Sequence, residues 1–171
     1  MRANATTTTQ PPAAATARAL LISIQPRFAN AILSGTKTIE LRRTMPTLEP
    51  DALALIYSSA PTKALVGWAR VKDIVSATPN TLWNEHKGAA GVTASEFHAY
   101  FAGRPHAYGL RLAHVESAYM PVTLEELREH DLQPPQSWRY VSGELARRLV
   151  NQMARQSIVD RGHGDSATAI A

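Results

Sequence analysis

The apolar positions of this chain change their period several times, and each change marks an element. Ala19 to Ile24 is a run of aliphatic residues broken only by Ser23, and it reads as a strand. Pro26 then suits a first helical position, and Phe28, Ala29, Ile32 and Leu33 fall on one helical stripe. Ser34-Gly35 stops that helix, glycine being suited to the left-handed turn after a helix end. Thr36 to Arg43 alternates as a strand and leads into a turn through Pro46 and Pro50. Ala52 to Tyr57 and Ala64 to Val75 read as two more strands, the first so nearly all apolar that a central place in a sheet is expected. A short helix opens at Thr78-Pro79 and carries Leu82 and Trp83. Two capping boxes, Thr93-Ala-Ser-Glu96 and Thr123-Leu-Glu-Glu126, announce two further helices, because each hydroxyl and carboxylate satisfies backbone amides left free at a helix start. His106 to Glu116 is the strand between them. Gly143 to Gln156 reads as an isolated helix with Leu145, Leu149, Val150 and Met153 on one side.

This order favours an α+β fold with the later strands curling into a small β-barrel, flanked by short helices and followed by the extra C-terminal helix. The expected organisation is a disordered leader over 1–17, one domain over 18–141, the helix over 142–156 and a disordered tail over 157–171. The leader is rich in Thr, Ala and Pro and lacks acidic residues. That composition faintly resembles a transit peptide, but disorder is the expected state.

Composition narrows the function classes. With 44% hydrophobic and 19% charged residues in 171, a sizeable core is within reach. The absence of cysteine removes disulfides, thiolate metal sites and cysteine nucleophiles, and it suits a reducing, cytoplasmic setting. No apolar run approaches the length of a membrane span, so no membrane partner is expected. The net charge of +4 is unevenly spread: residues 18–72 hold 8 basic and 3 acidic residues, whereas residues 73–138 hold 4 and 8. A local basic patch is expected from the first half. Salt-driven, non-specific duplex binding is not, since each phosphate contact needs its own cation. The six histidines show no metal spacing, so no metal site is expected. No dinucleotide fingerprint, phosphate-binding Walker loop or Gly-x-Ser-x-Gly elbow is present, and no cofactor is expected either.

The segment with chemistry is Gly35-Thr-Lys37-Thr-Ile-Glu40-Leu-Arg42-Arg43, at a helix-to-strand junction. Strand alternation puts Ile39 and Leu41 on one face and Thr38, Glu40 and Arg42 on the other, so Glu40 and Arg42 can share an ion pair. Lys37 lies at the strand mouth, from which a flexible stem reaches over the edge. Three charges beside an apolar sheet suit a ligand with an anionic or carbonyl group. The same charges equally suit a solvated row on an edge strand. Lys37 has neighbours of opposite sign, Arg42 lowering and Glu40 raising its pKa, which leaves it most simply as a charged anion binder. Nearby, Ser58 and Ser59 end the central strand, Gln25 and Arg27 flank the amide-rich start of the first helix, and Tyr108 offers a ring for stacking. Trp68, Trp83 and the run Trp138-Arg139-Tyr140 offer further aromatic groups, with packing as the alternative.

Gly35, Lys37, Glu40 and Arg42 match in full the G-x-K-x-x-E-x-R signature of the ASCH family. The surrounding segments SIQPRFANAILSGTKTIELRR, LIYSSAPTKALVGWARV, LWNEHKGAAGVTASEFHAYFAGRPHAYGLRL and PPQSWRYV also resemble that family in content and order, from about Ala19 to Val141. The resemblance implies a PUA-like β-barrel whose signature lines a cleft beside the first helix. It also implies work on RNA, a nucleotide or a modified nucleoside, since members include proposed RNA-binding modules, reported ribonucleases and an N4-acetylcytidine amidohydrolase branch. In that branch the lysine matched by Lys37 acts with a threonine and a downstream glutamate. Here the threonine position is Glu40, and Glu85 and Glu96 are the acids in range.

Three readings follow. The first is a binding module that holds a base or nucleotide with Lys37, Glu40 and Arg42. The second is a Lys37-dependent hydrolase, either of acylated cytidine or, as a metal-independent ribonuclease, of RNA. The third is a protein-interaction domain that uses the C-terminal helix and its Arg147, Arg148 and Arg155.

Overall fold

A computed structural model describes residues 18–45 and 47–155. The expected leader and tail, Pro46, and the last residue of the expected C-terminal helix lie outside the described residues. Six strands and five helices follow in the order β1 (Arg18–Ile24), α1 (Pro26–Leu33), β2 (Ile39–Arg42), β3 (Ala52–Ser58), β4 (Ala64–Ala77), α2 (Pro79–His86), α3 (Ala94–Tyr100), β5 (Ala107–Thr123), α4 (Leu124–Glu129), β6 (Trp138–Ser142) and α5 (Gly143–Ala154). They build one mixed sheet in the order β2-β5-β4-β3-β1-β6. β3 lies between β1, which it pairs in parallel, and β4, which it pairs antiparallel. Burial on both sides explains its unbroken apolar run.

The sheet is open, and this corrects the expected barrel. β2 and β6 are its two ends, and among the described residues no ladder joins them. Side chains span the gap instead. The Arg42 guanidinium donates to the Ser23 carbonyl at 2.9 Å, the Trp138 indole to the Thr44 carbonyl at 3.0 Å, and the Tyr140 hydroxyl to the Thr47 carbonyl at 2.8 Å. The β4–β5 ladder shifts register at three places, and such irregularities bend and twist long strands.

Three apolar clusters hold the fold. Leu20, Ile22, Ala54, Ile56, Leu110 and Leu112 pack against Ala29 and Ile32 of α1 on one side. Leu21, Leu55, Tyr57, Leu65 and Val122 pack against Leu127 of α4 and Ala146, Leu149 and Met153 of α5 on the other. The third joins Ile39 and Leu41 of β2 to Leu82 of α2 and Phe97 of α3. The apolar stripe of the C-terminal helix is thus packed on the sheet, and its Arg147, Arg148 and Arg155 remain on the exposed side. Both capping boxes form, each with the hydroxyl and carboxylate contacts their spacing implies. β5 runs on to Thr123, past the expected end at Glu116, and β6 was not expected at all. Among the described residues no helix is long and apolar enough to cross a membrane.

Candidate functional site

The gap that the sheet leaves unclosed holds a cavity of about 420 Å³ between the ends of β1 and β2, α1 and α3. Its construction begins with the turn after α1. Gly35 adopts φ +77°, and the Lys37 amide donates back to the Ala31 carbonyl at 3.0 Å, so the chain reverses tightly into β2. The loop before α3 then clamps that segment, the Ala89 carbonyl accepting from the amides of Thr38 and Ile39.

Lys37 is 1% exposed, one of the largest fully buried side chains among the described residues. It does not reach over an edge. Its ammonium donates to the Ile39 carbonyl at 2.8 Å and the Ala90 carbonyl at 2.5 Å, and lies 3.4 Å from Glu40 Oε2. Two backbone carbonyls and the Glu40 carboxylate thus surround the ammonium, which is engaged by the protein itself. Burial holds its pKa below the ordinary lysine value, and the Glu40 carboxylate works against that shift. Gly91, at φ +62°, passes so close that an added Cβ would stand 3.0 Å from the Lys37 stem. A side chain there would meet both strain and contact.

Glu40 links the two cations, its other oxygen lying 2.7 Å from Arg42 Nη1. Arg42 also donates to the Leu41 and Ser23 carbonyls, while its buried Nε has no partner among the described residues. All four β2 residues are buried, so the solvated-row reading fails: an exterior row would not be covered on both faces. At the cavity mouth, Arg27 of α1 bonds Glu96 of α3 at 2.5 Å, both partly exposed. Glu96 is held below the usual carboxylate range by the Thr93 amide, which it caps, and by Arg27. Gln25 is the N-cap of α1 but makes no side-chain cap bond; Pro26 has no N–H and the Phe28 and Ala29 amides donate to the Gln25 carbonyl, so the Arg27 amide is the one left open in that turn. Phe28, Phe97 and Tyr100 give the cavity its apolar walls.

Of the residues singled out in the sequence, Gln25, Arg27, Lys37, Glu40, Arg42 and Ser59 line this one cavity. Ser58 and Tyr108 do not. Ser58 ends β3 with its side chain buried, and alternation turns it away from the direction taken by Ser59. Tyr108 pairs with Arg42 across the β2–β5 ladder, on the flank of β2 opposite the opening. Glu96 lines the cavity and Glu85 does not. Trp83 packs on Phe97 with tilted rings and centroids 4.9 Å apart, a packing role, and Trp138 bridges the sheet gap. Ser23, Gln136 and Ser137 were not picked out as site residues, because their place depends on the pairing of β6 with β1. Among the described residues no group of three or more His, Asp or Glu side chains converges as a metal site would need.

Comparison with known proteins places the chain in a family. The family model described as "ASCH domain" matches residues 22–120. The chain is similar to a protein described as an ASCH domain-containing ribonuclease from Zymomonas mobilis, 35% identical over 133 residues, covering 77% of this chain and 89% of the relative. The crystal structure of ASCH from Zymomonas mobilis superposes with a TM-score of 0.73 at 34% identity, over 77% of this chain and 93% of that one. A single-substitution mutant of the same Zymomonas mobilis protein gives the same TM-score and identity over 96% of its length.

Proposed function

The chain belongs to the ASCH domain family, and from that premise we propose that it is a ribonuclease that holds one RNA nucleotide in the cavity beside β2. The observation that carries this reading is the joining of three cations and a half-open carboxylate around an apolar-walled cavity of about 420 Å³. That size lies within the range of small-ligand sites. The chain's similarity to a protein named as a ribonuclease supports RNA as the substrate.

The chemistry proposed is internal transfer. The 2′ hydroxyl gives up its proton, O2′ attacks the adjacent phosphorus, and the P–O5′ bond breaks; O5′ takes up a proton from water, which leaves a 2′,3′-cyclic phosphate and a 5′ hydroxyl. Charge then builds on the phosphate oxygens, which preorganised cations stabilise. Arg27 is the solvent-facing cation for that role, and Arg42 supplies a second from the wall. Glu96 is the carboxylate with open access, since Glu40 is committed to Lys37 and Arg42. When a phosphate draws Arg27 away, Glu96 loses one of the contacts that hold its pKa down, and it becomes a stronger base for the 2′ proton. Lys37 is a positioning residue here: its bonds fix Glu40 and the Ala90 loop, and through them Arg42.

Retention of RNA without turnover is the second reading, and the engagement of the Lys37 ammonium by the protein favours it over any scheme with that amine as base. The amidohydrolase scheme is not proposed, because Glu40 replaces its threonine. The test is incubation of the full chain with a single-stranded RNA and with its all-2′-deoxy counterpart, with products weighed by mass spectrometry. RNA cut to cyclic-phosphate ends, with the DNA intact, supports the proposal. Equal cutting of both, or products bearing 3′ hydroxyls, overturns the internal-transfer scheme, and intact RNA that stays bound supports the second reading.

A further inference from the structure

We propose that a second cleft, continuous with the first, is a subsite for the neighbouring nucleotide, so that the substrate is a single-stranded RNA and not a free nucleoside. This rests on the RNA reading above. The second cleft, of about 350 Å³, lies between the end of β3, the start of α4 and residues 133–136. Ser23, Ser59 and Gln136 line both cavities, forming a shared sill. A ligand that fills the first cavity and has a second unit attached passes over that sill.

The chemistry of the two cavities differs in a way that fits a chain. The first mixes three cations with two carboxylates. The second has Lys63 and no carboxylate in its lining. Lys63 is exposed, makes no ion pair among the described residues, and adopts φ +50° with its backbone fixed at both ends. Its amide donates to Ser59 and its carbonyl accepts from Leu124. The flexible stem thus starts from a rigid base beside the sill. Leu124, Pro134 and Tyr57 supply apolar surface for a base. Tyr57 is only 5% exposed, and its hydroxyl has no hydrogen-bond partner among the described residues, although the phenol faces this cleft. A hydroxyl that reaches the cleft wall without a protein partner offers a donor to a ligand. Single-stranded nucleic acid is bound in this way, by cations that follow the backbone and by surfaces on which bases rest.

The test uses 2′-O-methyl RNA, which cannot be cut through its 2′ oxygen. A mononucleotide, a dinucleotide with a terminal phosphate and a tetranucleotide are titrated by calorimetry into the full chain and its Lys63→Ala, Lys63→Arg and Arg27→Ala variants. The dinucleotide should bind about tenfold more tightly than the mononucleotide, as one added charged contact allows. Lys63→Ala should abolish that advantage, leave the mononucleotide unchanged, and flatten the salt dependence of dinucleotide binding by about 0.7 in log–log slope. Lys63→Arg should restore most of both. A dinucleotide no tighter than the mononucleotide, or equal weakening of both by Lys63→Ala, overturns the second subsite. Unchanged binding of the mononucleotide in Arg27→Ala instead contradicts the first cavity, and no binding to the wild type sinks both.

Discussion

Replacement of Lys37 by methionine isolates the charge at the centre of the site, since the thioether keeps most of the stem's volume. The variant removes two donations and one ion pair at once. Two carbonyl acceptors, of Ile39 and Ala90, lose their donor in a place that water does not reach, and Glu40 loses one of its two cations. Breaking a buried pair by deleting one partner costs about 3–5 kcal/mol, because the remaining charge is left uncompensated. Here Arg42 still holds Glu40 at 2.7 Å, and the stem's contacts near Gly91 persist, so the expected loss is at the low end, about 3 kcal/mol. That is a large part of the total stability of an ordinary domain. In urea, with slopes of about 1–3 kcal/mol/M, the midpoint should fall by about 1–3 M with the slope unchanged. The pH dependence gives a second check. Burial lowers the folded pKa of Lys37 below 10.5, so the folded chain binds fewer protons than the unfolded one between those two values. This group therefore makes stability rise as pH climbs through that interval, and the methionine variant should lack the rise. A variant as stable as wild type or more so would refute the reasoning, since the cost of drying the ammonium would then exceed what its three partners return.

Other expectations follow from neighbouring groups. Glu96→Gln should lower the cleavage rate by about 10²–10⁴-fold while RNA affinity changes little, as read by separate kcat and KM. Because Glu96 titrates below the usual carboxylate range, the Arg27–Glu96 bridge should survive mild acid. Its contribution is present above the unfolded carboxylate pKa and is lost as pH falls through the lowered folded value, a change visible in the Glu96 carboxyl carbon shift by NMR. Gly91→Ala forces a side chain into the left-handed region against the Lys37 stem and should cost at least about 1–2 kcal/mol in urea unfolding. Leu149→Ala should cost about 2–5 kcal/mol, because α5 is part of the core; a loss near zero would show that the helix does not pack on the sheet.

What could be read from the chain divides along a physical line. Elements whose signals are local were legible: the helix-ending Gly35, the two capping boxes, and the all-apolar β3 each state their structure within a few residues. The open edge of the sheet was not, because β1 pairs with β6 across more than a hundred residues, and five residues at Trp138–Ser142 carry too little periodicity to declare a strand. The site shows the same division. The alternation of β2 placed Glu40 beside Arg42, but the burial of Lys37 depends on the Ala89–Gly91 loop folding over it from more than fifty positions away. Charge counts could not tell an exposed lysine from a buried one. Glu96 was visible as a cap, and its second role at the cavity mouth appears only once α3 is placed against α1.

The central claim is that RNA lies in the gap between β1 and β2, and photocrosslinking tests it most directly. Single-stranded RNA carrying 4-thiouridine at one position is irradiated with the full chain, and the attached peptides are identified by mass spectrometry. Adducts should fall on the segments 25–28, 40–42, 96–100 and 136–137 that wall the first cavity, and an excess of unlabelled RNA should abolish them. Adducts concentrated instead on α5, around Arg147, Arg148 and Arg155, would show that RNA rests on the opposite helical layer and would contradict the account.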